Sequence, residues 1–350
     1  MRPVGYYVHH EGAGHGALGA ALSTVLRDRL VGMGSGGRPA GWRGRWIDLP
    51  RDDTAPVAPD PTRGGAWHWA PRRHPGFAAR MGTIARWVAA EHPVALVSDV
   101  SCEVTALGAL LGVPTAAVVL HGRRDDRPHR LAWDSADALV APWPAAHAEP
   151  WSEPWRAKVT TLGLVSRFDH RPPPGRPAGR EVLVLLPSGA HGVALAAVEA
   201  AARATAPGGW RWTVAGGDAG PGGEVRGVGR VEDPWPLLTQ ARVVVATCGA
   251  GSVADVACAR RPAVLLPQDR PFDEQRAFAG HLDGVAPVVV ADRWPDPERW
   301  PGLLDRAAGL DPSGWDALHD RGGARRLAAL LTRPGEVWSE TATMSGLLTR

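Results

Sequence analysis

The chain has 350 residues, 44% of them hydrophobic, which suffices for two ordinary domains, each with its own core. A formal charge of +3 over that length is too small to argue for a nucleic-acid surface. The three cysteines, Cys102, Cys248 and Cys258, are odd in number and lack metal-ligand spacing, the usage expected of a reduced, cytoplasmic protein.

Val4 to Val8 predicts the first strand, with no charged-then-apolar leader before it. His9-His10-Glu11-Gly12-Ala13-Gly14-His15-Gly16 follows. A helix is then expected from about Ala17 to Leu30, with Leu18, Leu22, Val25, Leu26 and Leu30 on one side. Gly32 to Gly37 reads as a loop, Trp42 to Leu49 as a second strand and Ala66 to Ala70 as a third. Gly76 to Glu91 predicts a helix, and Val94 to Ser98 a strand ending at Asp99. Ser101 to Leu111 predicts a helix closed by Gly112 and Pro114, and Thr115 to Leu120 the next strand. His121 to His129 reads as a charged loop, Leu131 to Asp137 as a helix, and Ala138 to Ala141 and Lys158 to Leu162 as strands. The apolar stretch nearest to membrane length, Ala106 to Leu120, is interrupted by Gly112 and Pro114, so no transmembrane segment is expected.

His170 to Gly179, HRPPPGRPAG, is a stiff Pro-rich linker that separates a first domain at 1–169 from a second at 180–320. In the second, Val182 to Leu186 predicts a strand, Pro187 to Gly192 a turn and Val193 to Ala204 a helix. Trp210 to Ala215 and Val225 to Val231 predict strands around a glycine-rich loop, and Pro234 to Ala241 a short helix. Gly322 to Leu331 predicts a closing helix ahead of a tail. Strands alternating with helices imply two parallel sheets covered on both faces, and two such units split by a linker imply a cleft. Most of the sixteen tryptophans are expected in cores or at their boundaries.

The densest signal runs from Val243 to Phe278. Val243 to Ala246 reads as a buried strand, and Thr247-Cys248-Gly249-Ala250-Gly251-Ser252 as a sharp turn in which Ser252 can cap the following helix. Arg260-Arg261-Pro262 stops that helix with cations at its negative end. Ala263 to Leu266 predicts another strand, which breaks at Pro267 and leads through a polar loop to Glu274 and Gln275. Free N–H groups around Gly251 and Ser252 form an anion site at a helix N-terminus, suited to a diphosphate. Asp255, one turn inside, can accept from two vicinal hydroxyls such as a ribose presents, and Gln275 offers a donor and an acceptor to a sugar.

This string resembles the donor half of GT-B glycosyltransferases, especially the branch of the N-acetylglucosaminyltransferase that makes the peptidoglycan lipid intermediate. Gly249, Ala250, Ser252, Asp255, Pro267 and Gln275 carry the match, while Cys248 stands for the usual serine and Asp255 for the usual glutamate. The resemblance implies a GT-B fold, two Rossmann-like domains facing each other across a cleft. It implies donor contacts at Ser188 and Gly189 in the first turn of the second half, and uracil reading at Val231. The function implied is metal-independent, inverting transfer of a hexose or N-acetylhexosamine from a UDP-sugar to an acceptor hydroxyl. No cofactor beyond the nucleotide sugar is expected. The acceptor, whether small, lipid-linked or glycan, is left open, as is peripheral membrane contact.

If the first sheet runs in the order 3-2-1-4-5, His15 and Asp99 meet at the carboxyl ends of neighbouring strands. Asp99 would then orient the imidazole of His15 as a general base. Gly12-Ala13-Gly14-His15 resembles the His-ending glycine loop of inverting GT-B enzymes. A neutral capping His is the plainer alternative, and His10 and Glu11 are the reserve candidates. His121, Asp125, Asp126 and His129 read as a solvated face or an acceptor loop rather than a metal site. The rival functions are a UDP-sugar hydrolase or 2-epimerase of the same architecture, and a non-catalytic sugar-nucleotide-binding subunit.

Overall fold

The computed structural model describes residues 2–10, 14–54, 57–147, 149–185, 193–216 and 225–332. The chain divides into two compact units, residues 168–321 and the remainder, 1–167 with 322 onward.

The first unit holds β1 (Val4–Tyr7), α1 (His15–Leu26), β2 (Leu30–Gly34), β3 (Arg45–Asp48), α2 (Pro75–Glu91), β4 (Ala95–Asp99) and α3 (Cys102–Leu110). Then come β5 (Thr115–Val118), α4 (Arg127–Ser135), β6 (Ala138–Ala141), the one-turn α5 (Glu153–Arg156) and β7 (Val159–Thr161). Among the described residues these strands form one parallel sheet in the order β3-β2-β1-β4-β5-β6-β7. Both faces are covered, so the central strands are apolar on both sides. Val4 and Tyr6 pack with Leu18 and Leu22 of α1, whereas Tyr7 packs with Ile84 and Trp87 of α2.

Three expectations for this unit are corrected. Leu30 does not end a helix, and Gly32 does not begin a loop. Helix α1 stops at Leu26, a 3-10 turn follows, and 30–34 is the wholly buried strand β2. The glycine at 32 is needed because the Trp42 and Trp46 rings lie on the strand; a Cβ there would come within 2.4 Å of both. Ala66 to Ala70 is not a strand either. The His68 and Trp69 amides donate to one oxygen of Glu103, at 2.8 and 3.0 Å, so a carboxylate takes the place of a neighbouring strand. Finally, the charged loop is shorter than expected, because Asp126 caps α4 by accepting from the His129 amide.

The second unit holds β8 (Glu181–Leu185), α6 (Leu195–Thr205), β9 (Arg211–Ala215), β10 (Val225–Gly227), α7 (Trp235–Gln240) and β11 (Val243–Thr247). It continues with α8 (Ala250–Cys258), β12 (Ala263–Leu266), α9 (Glu274–Leu282), β13 (Val288–Val290) and α10 (Trp300–Gly309). The described strands form a second parallel sheet, β10-β9-β8-β11-β12-β13. Trp212 and Trp300 are buried in its core, edge-to-face at 5.1 Å. Arg261 is more than a helix stop. It is buried and donates to the carbonyls of Leu238, Thr239 and Gly175, neutralising the end of α7. Burial, then the charge of Arg242, lowers it to about 10.

The last described helix, α11 (Gly323–Thr332), belongs to the first unit: Leu327 and Leu331 complete the core beside α1. Among the described residues no helix is long and apolar enough to cross a membrane.

Candidate active site

In the first unit, β1 and β4 are neighbours in register, Tyr7 opposite Ser98, so their carboxyl ends lie together. Asp99 is the last residue of β4 and His15 the first of α1. His15 Nδ1 lies 3.2 Å from Asp99 Oδ1. A carboxylate only accepts, so Nδ1 carries the proton, and on the neutral ring the lone pair sits on Nε2. Asp99 is 2% exposed, while the His15 side chain is 22% exposed, so the imidazole of the pair meets solvent and the carboxylate does not. The sequence did not single out Tyr6, whose hydroxyl donates to the other Asp99 oxygen at 3.0 Å. Its signal was its place in β1, one residue before the strand end and on the α1 side.

The reserve candidate His10 belongs to a different network. Its Nε2 is 3.8 Å from Asp52 and 3.7 Å from Asp53. Asp52 is buried against Arg80 at 2.7 Å, and Arg80 also donates to Tyr7 Oη and Ser35 Oγ. Burial raises the Asp52 carboxyl and the Arg80 charge opposes it. Glu11, Gly12 and Ala13 lie outside the described residues.

The polar cluster at 121–129 is a solvated face only in part: Asp125 is exposed, whereas His121 and His129 are both buried. Asp126 accepts from His129 Nδ1 at 2.6 Å and pairs with His68 Nε2 at 3.1 Å, and Arg124 donates to His129 Nε2 at 3.2 Å. Burial is the main cause holding His129 down to about 4. His121 forms a second imidazole–carboxylate pair, with Glu149 at 2.5 Å, and stacks on Trp143 at 3.9 Å. With 4% and 8% side-chain exposure, this pair is sealed where His15 is open. Among the described residues, two groups in this unit bring ligand atoms within 4.8 Å of one another, His68 with Cys102 and His129, and His10 with Asp52 and Asp53. Each already holds a guanidinium, Arg124 on His129 and Arg80 on Asp52.

In the second unit, β11 ends at Thr247 and α8 begins at Ala250 with Gly249 as its cap residue. This corrects the expected start, because Ser252 lies inside the first turn rather than at the cap. Gly249, Ala250, Gly251 and Ser252 are all partly exposed, so solvent reaches the first turn of the helix, whose opening amides have no carbonyl partner inside the helix. Asp255 is in the next turn and 5% exposed. Gln275, near the start of α9, is equally buried, and its side-chain oxygen accepts from the amides of Cys248 at 3.1 Å and Gln268 at 3.0 Å. It thereby ties the turn after β11 to the turn after β12. Just before it, Phe272 and Asp273 both take positive φ, 65° and 58°. Val231 is half-buried and lies four residues beyond β10, which ends at Gly227 rather than running to 231. Ser188 and Gly189 lie outside the described residues.

No protein-family model matches the chain, and no curated protein matches it in sequence. Solved structures do resemble it. The calicheamicin glycosyltransferase CalG4 superposes with a TM-score of 0.65 at 15% identity, covering 96% of this chain and 99% of that one. For MurG of Acinetobacter baumannii the values are 0.60 and 16%, over 95% and 100%. For the spinosyn rhamnosyltransferase SpnG, complexed with thymidine diphosphate, they are 0.59 and 15%, over 99% and 100%. At such identities the likeness is one of fold, and the fold of this chain is the α/β, two-sheet fold of GT-B glycosyltransferases.

Proposed function

We propose that the protein is a glycosyltransferase that moves a hexose or N-acetylhexosamine from a nucleoside diphosphate sugar, UDP in the first instance, to an acceptor hydroxyl. The observation that carries this reading is the His15–Asp99 contact at the carboxyl ends of β1 and β4. His15 Nε2 removes the acceptor proton while Asp99 holds the ring through Nδ1 and stabilises the imidazolium that forms. The acceptor oxygen bonds to the anomeric carbon as the bond from that carbon to the diphosphate oxygen breaks. The opening amides at Gly251 and Ser252, with the α8 dipole, receive the negative charge of the departing diphosphate. Such help takes the place of a metal ion, and attack opposite the leaving group inverts the anomeric centre. Asp255 serves the ribose. Gln275 serves the donor sugar from a position fixed by its two backbone bonds. Ser188, Gly189 and Val231 complete the donor contacts. We place the reaction in the cytoplasm, in keeping with three buried cysteines that form no disulfide among the described residues.

The resemblance to the lipid-intermediate branch rests on the α8 turn. Among the solved structures, natural-product transferases and MurG superpose about equally, so the acceptor is left unassigned. The test begins with thermal unfolding against UDP, TDP, GDP and ADP, each free and as a sugar conjugate. UDP is expected to stabilise the parent, and Asp255→Ala to lose most of that gain. His15→Ala should keep nucleotide affinity and lose about 10²–10⁴-fold in turnover. Sugar release without any acceptor would move the reading to a hydrolase or epimerase, and wild-type turnover in His15→Ala would remove the base assignment.

A further inference from the structure

The contact between His15 and Asp99 is one half of a longer chain. Asp99 has two oxygens, one facing His15 and the other receiving the Tyr6 hydroxyl at 3.0 Å. Tyr6 is fully buried, and its ring is fixed on two sides. Trp42 meets it edge-on at 6.2 Å, and α1 presses down at Gly19, where an added Cβ would come 2.9 Å from the ring. Gly19 lies one helical turn from His15, so the same close approach that clamps the ring also sets the height of the imidazole over β1. A phenylalanine ring would fill this space equally well. The hydroxyl therefore adds nothing to the packing of the core and one hydrogen bond to the carboxylate.

We propose that Tyr6 is a positioning residue: its hydroxyl fixes the Asp99 carboxylate and through it sets the orientation and basicity of His15. The physical sense is a sharing of charge. An oxygen that receives a phenol proton has part of its negative charge neutralised, so the carboxylate draws less strongly on the His15 proton. Burial first, and then the Asp99 charge, pushes the phenol well above its ordinary value, so Tyr6 is a donor throughout the working range. Other charged and titratable groups lie on the same side. His9 meets His15 edge-on at 5.8 Å and stacks on His10 at 5.1 Å, beyond which lie Asp52, Asp53 and Arg80. From the α2 side, Tyr7 points its hydroxyl at Arg80 instead. Tyr7 is thus a neighbour of the same chemistry outside the chain.

This inference rests on His15 as the base of the proposed transfer, but its direct test does not need turnover. Histidine-labelled full-length protein is titrated by NMR, with His15 identified by the signal missing from His15→Gln. In Tyr6→Phe the His15 midpoint is expected to rise by roughly half a unit or more, because Asp99 regains its undivided charge. In Asp99→Asn it is expected to fall below the parent, and in Tyr7→Phe to stay in place. An unmoved midpoint in Tyr6→Phe, or an equal shift in Tyr7→Phe, overturns the proposal. Where a transfer assay is available, Tyr6→Phe should lower kcat roughly tenfold with the donor KM unchanged, the loss expected of one hydrogen bond to a charged group. Rescue is built in, since Tyr6→Phe keeps the fold and its melting temperature reports any general loss. The expected shift together with no sugar transfer from any donor would leave the Tyr6 linkage standing and sink the glycosyltransferase reading alone.

Discussion

Val100 follows Asp99 with φ 57°, in the left-handed region that a β-branched residue avoids. The chain turns there from β4 into α3, and the turn is what leaves Asp99 at the strand end with its carboxylate toward His15. Holding valine in that conformation costs on the order of 1–2 kcal/mol. Val100→Gly is therefore expected to stabilise the protein against urea by about 0.5–1 kcal/mol, the relief being partly offset by glycine's greater freedom when unfolded. The same change should loosen Asp99 and lower turnover. A variant less stable than the parent would show that valine side-chain packing outweighs the strain. The contact between His15 and Asp99 was legible in the sequence because a glycine loop and a strand end are local signals. Tyr6 was not, because a tyrosine inside an apolar strand reads as core until its hydroxyl is seen to have a partner.

The element scale separates what periodicity reveals from what packing decides. Strands β4, β6, β8, β11 and β12 are dense β-branched or aliphatic runs, and their positions were predicted within about two residues. Strand β2 escaped because its glycines look like a loop, yet they are there to admit two indole rings. Segment 66–70 erred in the opposite direction, since its alternation suggested a strand whose amides in fact bond to Glu103. The start of α4 was hidden for a related reason: Asp126 reads as one more charge in a polar loop, whereas it caps the helix and engages two histidines. That network has a consequence for stability. His129 is held down to about 4 in the folded chain and titrates near 6.5 when unfolded. As pH falls below 6.5 the unfolded state takes up a proton that the folded state refuses, so folding weakens between 6.5 and 4 and is unaffected above. His129→Gln should flatten the stability profile in that window by up to about 1.4 kcal/mol per pH unit. Parallel profiles for variant and parent would mean that His129 does not carry this linkage.

At the scale of the whole molecule, the second unit is a continuous stretch of chain, whereas the first is closed by a helix that arrives after it. Leu327, Leu330 and Leu331 of α11 share a core with Leu18, Leu22 and Leu26 of α1. A chain ended at Arg321 should therefore keep the second unit and the stabilisation by UDP proposed for it, while the first loses several kcal/mol through apolar surface left open on α1. Calorimetry of that truncation, read for two transitions instead of a common one, checks the point, and an unchanged first unit would refute it. The placement of α11 also fixes an order in time. As the chain leaves the ribosome, β1 and α1 emerge before residues 168–321, and the helix that completes their core only after them. Of the two units, the one that carries His15 begins to emerge before the other and can finish folding only after it has been made. Until then the apolar face of α1 that α11 covers is open, a surface for a chaperone to hold.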